Sequence, residues 1–288
     1  MTNREWFKQA KFGMMVHWGL YSLAAGEWKG QRVKGYGEWI QKSLRIPNAE
    51  YEQLAKAFHP IFFDADEWIR LVRDAGMQYI VVTTKHHEGF CMFHSAWDRY
   101  NIVDATPFGR DVIAEIADKD SNDWDFPDRE KKDYARCFYG KITHQVRELL
   151  TNYGDVAMFW FDCPGGMARK YSVELFRMVR ELQPDCLINN RLSEDQTLCD
   201  YWGIWDNVLI EKDVGDALYE SPCTLNDTWG YKSFDNNWKT ADRVLEMKKI
   251  CNSNGANLLL NVGPDGLGRI PAPAAEILRE VGRRLREG

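Results

Sequence analysis

The chain has 288 residues, with 43 acidic against 37 basic side chains and a net charge of −6. Charges of both signs are spread along it, which argues against a nucleic-acid or anionic-membrane partner, and no apolar run approaches the roughly 20 residues that a membrane-crossing helix needs. The length suits one large α/β barrel better than two small domains.

The 12 Trp, 12 Tyr and 14 Phe supply a core, and the Trp surplus also suits contact with carbohydrate. The seven cysteines are odd in number and form no CxxC pair. They therefore read as buried free thiols of a reducing compartment rather than as a disulfide framework or a zinc site. MTNREWFKQAKFG at the N-terminus has no apolar signal region. The expectation is a cytoplasmic protein.

Short apolar runs read as strands and the amphipathic stretches between them as helices. In chain order these are a strand over 12–17, helices over 49–57 and 64–75, a strand over 79–84, helices over 110–118 and 128–152, and a strand over 156–161. A helix over 171–183, strands over 186–190 and 222–226, a helix over 240–254, a strand over 257–262 and a helix over 272–286 follow. Asp64 and Asp66 open their helix with negative charge. Gly76 and Pro184 lie just past helix ends. Alternating strands and helices imply parallel βα units, hence a TIM-like (β/α) barrel in a single domain, 1–288. These are six strands rather than eight. RDVIAEIADKD runs directly into SNDWDFP, where a further strand belongs, so either strands are hidden in the irregular stretches or the strand set is incomplete.

Polar residues cluster at strand ends: His17, then Lys85, His86 and His87, then Asp162, then Asn190 and Arg191. Parallel barrels carry their chemistry at that end. The most informative stretch is FWFDCPGG at 159–166, where Asp162 is the first charge after an aromatic run. Trp160 stands two residues back on the same strand face, so an indole and a carboxylate face one site, which suits a sugar. The plainer reading is an Asp that caps the next helix. Neutral imidazoles donate and accept, so His17, His86 and His87 can grip a polyol; adjacent residues on a strand point apart, so His86 and His87 share a ligand only if the chain turns there. A competing chemistry is a metal held by His17, His86, His87, Glu88 and Asp162, although HExxH is absent. A glycosidase needs a second carboxyl. Glu220, placed just before Ser221-Pro222 and a strand, is the candidate, with Glu194 and Glu211 as rivals. The Gly-rich NVGPDGLGRIP lacks the Lys-Ser/Thr of a phosphate loop and reads as a turn.

Taken together, KFGMMVHWGLYSL, GEWKG, GYGEWI, FDADEWIRLVRDAGMQYIVVTTKHHEGFCMF, FWFD, INNR, NDTWGYK and GANLLLNVGPDGLGRIP resemble glycoside hydrolase family 29, the retaining α-L-fucosidases, in order and over nearly the whole chain. The resemblance implies Asp162 as nucleophile. It implies His17, His86, His87, Glu38, Trp39, Trp160, Arg191 and Trp229 as sugar-binding residues. In the branch that the chain looks most like, the acid/base precedes a Thr/Ser-Pro pair, which implies Glu220. No metal or organic cofactor is implied; the partner is a fucosylated oligosaccharide or glycoconjugate, and an oligomer is left open.

Three departures stand out. An aromatic FYYS-like run before NDWDFP, which in the family supplies a tyrosine, is absent between Asp118 and Asn122. The loop at 195–219 lacks the family's GDY-rich character. The chain ends at Gly288, where members commonly continue into a β-sandwich, which implies the catalytic domain alone. The missing run keeps a fucose-binding barrel without catalysis as the second reading, and the metal-dependent hydrolase is the third.

Overall fold

This computed structural model is described for residues 1–117, 134–162 and 167–288, and among them the inward and outward sides of seven parallel strands organise the fold. The strands are β1 (Phe12–Val16), β2 (Tyr79–Val82), β3 (Met158–Phe159), β4 (Leu187–Ile188), β5 (Trp202–Gly203), β6 (Tyr219–Thr224) and β7 (Asn257–Val262). Their hydrogen-bonded order is β2-β1-β7-β6-β5. A parallel bridge from Asn189 to Tyr201 then leads to β4, which pairs with β3. The result is a parallel sheet curled into most of a barrel, with helices on its outer side. An antiparallel ribbon, Glu27–Trp28 with Gln31–Arg32, lies outside the barrel order.

Side chains alternate across each strand. Met15, Tyr79, Val81, Met158, Trp160, Leu187, Leu218 and Leu259 form the inner cluster. Met14, Val16, Ile80, Val82, Phe159, Ile188, Leu258 and Leu260 join the larger cluster under the helices. Burying each such apolar side chain contributes roughly 1.5–3 kcal/mol. A helix over Asn3–Ala10, begun by a Thr2–Glu5 capping box, closes the end where the strands start. Its Phe7 packs against Tyr201 at 4.9 Å between ring centres, and its carbonyl accepts from Asn257 Nδ2 at 2.9 Å.

Most expected elements are present with shifted ends. The 64–75 helix is Ala65–Asp74, with the Asp64 side chain accepting from the Glu67 N–H as its cap. The 49–57 helix is two short pieces, Asn48–Tyr51 and Gln53–Ala57. Helices over Arg169–Leu182, Ala241–Ser253 and Ala272–Glu287 match expectation closely. Helical structure runs through Tyr134–Asn152. The region around 118–122, where an extra strand was sought, lies outside the described residues. Sequence reading missed the Asn3–Ala10 helix and β5, both short and flanked by polar residues.

The strand expected over 222–226 is instead Tyr219–Thr224. Pro222 did not mark a strand start: it lacks an N–H, but its carbonyl still accepts from Asn207 at 2.9 Å. The shift moves Glu220 from the strand's approach to its interior, where it is fully buried.

The outer layer tolerates little added volume where the last helix crosses the Ala65–Asp74 helix. A Cβ on Gly282 would lie 1.7 Å from the Asp74 carbonyl oxygen. Gly282→Ala is therefore expected to lower unfolding free energy in urea by about 1–3 kcal/mol; an unchanged midpoint would show that the helices separate freely.

Candidate active site

Met158, Trp160 and Asp162 follow one another at period 2, so the inward face of β3 carries Asp162 just beyond the strand's C-terminal end. Asn189 holds this segment at two points. Its Oδ1 accepts from the Phe161 N–H at 2.9 Å, and its Nδ2 donates to the Phe161 carbonyl at 2.7 Å. Asp162 then meets Arg191, whose Nη1 donates to Oδ1 at 2.9 Å. Nη2 of the same guanidinium donates to Asp206 Oδ1 at 2.7 Å and to the Ile204 carbonyl at 2.8 Å. The Arg191 Cζ sits 4.7 Å from the centre of the Trp160 ring. One cation thus lies on an indole face and grips two carboxylates.

These groups share a concave pocket with Met15, His17, Tyr36, Glu38, Trp39, His86 and Trp229. A larger cavity of about 540 Å³, outside the barrel and lined by Phe62, Trp68 and Arg269, contains none of the predicted site residues. Most of the predicted site residues gather in the smaller pocket.

The tautomer of His17 follows from its partners. Asn261 Nδ2 donates to the Trp229 carbonyl at 2.8 Å, which leaves Asn261 Oδ1 to accept from His17 Nδ1 at 2.7 Å. Nε2 is left as the acceptor of a neutral ring. Burial pushes the His17 and His86 imidazoles below the usual histidine value, so they enter the pocket uncharged. His17 is centred 5.8 Å from His86 and 5.2 Å from Trp229. Glu38 is 1% exposed, and its Oε2 accepts from the Gly230 N–H at 2.7 Å. Burial pushes this carboxyl up to about 7.

The chain does turn after the paired histidines: Gly89, at φ 79°, donates to the His86 carbonyl at 2.9 Å. Only His86 reaches the pocket wall. His87 stacks on Trp39 at 4.3 Å, and its Nε2 is engaged by the Glu38 carbonyl at 2.6 Å. It supports Trp39 and Glu38 from behind. The metal reading finds part of its set, since ligand atoms of His86, His87 and Glu88 lie within 4.8 Å of one another. Among the described residues neither His17 nor Asp162 joins that group.

Glu220 is the main correction to the expected site. It does not line the pocket but lies beneath it, inside the barrel. Its Oε1 accepts from Trp160 Nε1 at 3.0 Å and its Oε2 from the Tyr79 hydroxyl at 2.7 Å. A carboxyl enclosed in this way has no path to a leaving group. Glu194 and Glu211 are also absent from the pocket lining. The pocket holds two further carboxyls, Glu38 and Asp206, and of these Asp206 shares the Arg191 guanidinium with Asp162.

A family model described as Alpha-L-fucosidase matches residues 1–287. The chain belongs to the alpha-L-fucosidase family. Its fold is similar to that of the alpha-L-fucosidase AlfC from Lactobacillus casei in complex with its alpha-L-fucose product, at 43% identity, 99% coverage of both chains and a TM-score of 0.90. An alpha-L-fucosidase from Vibrio sp. strain EJY3 matches at 34% identity and a TM-score of 0.92, over 99% of this chain and 55% of that one. The plasma alpha-L-fucosidase of Homo sapiens is 27% identical over 98% of this chain and 67% of its own length.

Within this alpha-L-fucosidase fold, sequence reasoning missed Asp206, Tyr36 and Asn261. Asp206 had a signal: a carboxylate enclosed by aromatic and apolar residues in WGIWDNV, after a short strand. Asn261 had a clearer one, as a polar residue on the inward phase of the apolar run NLLLNV.

The burial of Glu38 predicts a pH-dependent stability difference. Its folded value, about 7, lies above the ordinary value of 4.5. The unfolded chain therefore releases this proton first, and the native state loses stability as pH rises from about 4.5 to 7. The shift corresponds to about 3 kcal/mol. Urea unfolding of wild type and Glu38→Gln at pH 4.5 and 7.5 reads this directly, since the other groups titrate equally in both proteins. The stability of wild type relative to the variant should fall across the interval; a constant difference would mean that burial leaves Glu38 at its ordinary value.

Proposed function

We propose that the protein is a retaining exo-acting α-L-fucosidase that hydrolyses terminal α-L-fucosyl linkages, with Asp162 as nucleophile and Asp206 as acid/base. The observation that carries this reading is the single Arg191 guanidinium that grips both carboxylates at the mouth of a pocket walled by uncharged histidines and indoles. A close-set pair is what double displacement needs, with carboxyls roughly 5–5.5 Å apart.

In the first step Asp162 attacks the anomeric carbon as the leaving oxygen takes a proton from Asp206. The glycosidic bond breaks and a glycosyl ester forms. In the second step Asp206 takes a proton from water, the hydroxide attacks the same carbon, and the ester bond breaks to free fucose and Asp162. His17 Nε2 accepts from a sugar hydroxyl; His86 and Glu38 supply further polar contacts. Trp160, Trp39 and Trp229 present apolar faces to the sugar's C–H and methyl groups. Arg191 keeps both carboxylates aimed as charge moves between them. The related AlfC has been captured as a variant in complex with Fuca(1,6)GlcNAc, which supports a fucosylated saccharide as the substrate class here.

The test is release of aryl alcohol from an aryl α-L-fucoside. Asp162→Asn should lose at least about 10³-fold in kcat without unfolding; retained turnover would remove it as nucleophile. Asp206→Asn should cost about 10²–10⁴-fold on a saccharide-linked fucoside and far less on the activated aryl substrate. Equal losses on both would deny it the acid role. A chelator should leave wild-type turnover unchanged, and inhibition would favour the metal reading.

A further inference from the structure

We propose that Glu220 is a positioning residue of this active site: from inside the barrel it anchors the Trp160 indole, and through that ring it fixes the Arg191 guanidinium that holds Asp162 and Asp206. The inference rests on the glycosidase reading above and gives Glu220 a task that needs no contact with substrate.

Three strands converge on the carboxyl. Tyr79 comes from β2, Trp160 follows β3, and Glu220 stands in β6 opposite Asn257 of β7. Tyr79 reaches across because Gly13 of β1 has no side chain. A Cβ there would lie 2.3 Å from the Tyr79 ring, so only glycine lets the phenol cross β1 toward Glu220. The phenol and the indole N–H occupy separate carboxyl oxygens, at 2.7 and 3.0 Å. Burial pushes this carboxyl up to about 7, and the bonds donated by Tyr79 and Trp160 act against that rise.

The anchored indole then acts upward. Its N–H end is fixed by Glu220, and its face lies under Arg191 at 4.7 Å. A guanidinium over an indole is attracted to the ring face, more strongly when both are withdrawn from water. Rotation of Trp160 would tilt Arg191 and draw Asp162 and Asp206 out of line together. A buried carboxyl is costly unless its oxygens are satisfied, and an apolar side chain would fill the same space at lower cost. The geometry explains what the carboxyl does that an apolar group would not. It holds a ring by its one polar atom.

The experiment is a double-mutant cycle on kcat with an aryl α-L-fucoside: wild type, Glu220→Gln, Trp160→Phe and the double variant, with folding of each followed by circular dichroism. Trp160→Phe keeps an aromatic face under Arg191 but has no N–H for Glu220. Glu220→Gln should lower kcat about 10- to 100-fold, as small misplacements of catalytic groups do, and change KM by less than about threefold, because Glu220 does not touch the sugar. In the Trp160→Phe background the same change should have little further effect on kcat. Wild-type kcat in Glu220→Gln, or losses that multiply in the double variant, would overturn the proposal. If Glu220→Gln does not fold, Tyr79→Phe replaces it: a smaller fall in kcat is expected, and no fall overturns the proposal.

If wild type releases no aryl alcohol, the fucosidase reading fails and the positioning is read by NMR instead. The Trp160 indole N–H and Arg191 guanidinium proton signals should both move in Glu220→Gln. Arg191 signals that stay in place would overturn the positioning role.

Discussion

The pocket depends on one ionic contact set, that of Arg191. Two carboxylates side by side repel each other, and alone they would splay apart or share a proton. A guanidinium is the side chain best shaped to prevent this, because its planar fork offers parallel donors in fixed geometry. Here Nη1 serves Asp162, Nη2 serves Asp206, and the Ile204 carbonyl ties the same nitrogen to the loop that carries Asp206. Arg191 follows β4, Asp162 follows β3, and Asp206 follows β5. Three separate segments therefore reach register through one group, so the barrel's relative strand positions become the spacing of its acids.

Beneath this layer the barrel interior is not uniformly apolar. Asn257, Glu220 and Asn261 occupy inward positions, and each bonds to something that must not move. Asn257 holds the closing helix through the Phe7 carbonyl. Asn261 links His17 to the Trp229 carbonyl. Glu220 links Tyr79 to Trp160. Apolar packing would fill these positions but would leave rings free to rotate about their axes, and hydrogen bonds remove that freedom. The inner cluster thus supplies stability, while the buried polar members set orientation.

How much of this could be read from the chain follows the range of the signals involved. Strand-end polarity placed Asp162, His17, His86 and Arg191 at one face, because period-2 alternation and strand termination are local properties. The strand at 219–224 was displaced in the reading because Pro222 looked like a boundary; its tolerated position depends on β5 and the loop after it, which are remote in sequence. Glu220 illustrates the same limit. A carboxylate flanked by Tyr and Ser-Pro resembles an exposed loop acid, and its burial depends on Tyr79, which stands 141 residues away, and on the missing side chain at Gly13. His87 was grouped with His86 by its strand-end position and by the family resemblance, whereas the Glu38 carbonyl and the Trp39 ring engage His87 and leave only His86 at the pocket wall.

The electrostatics of the pocket divide along the same lines. Burial holds His17 and His86 below the usual histidine value, so the pocket wall carries imidazoles that are neutral near pH 7. The ionic contacts gather at Arg191, which holds Asp162 and Asp206. A neutral deoxysugar gains nothing from a charged wall, since fixed charges would hold water that the sugar must displace. It gains from acceptors and donors of set direction beside apolar faces. A developing oxocarbenium centre needs the reverse, with negative charge close to the anomeric carbon. Placing the ionic cluster at the pocket mouth and neutral rings around the rest supplies both, and the neutrality of those rings follows from the same burial that shapes the cavity.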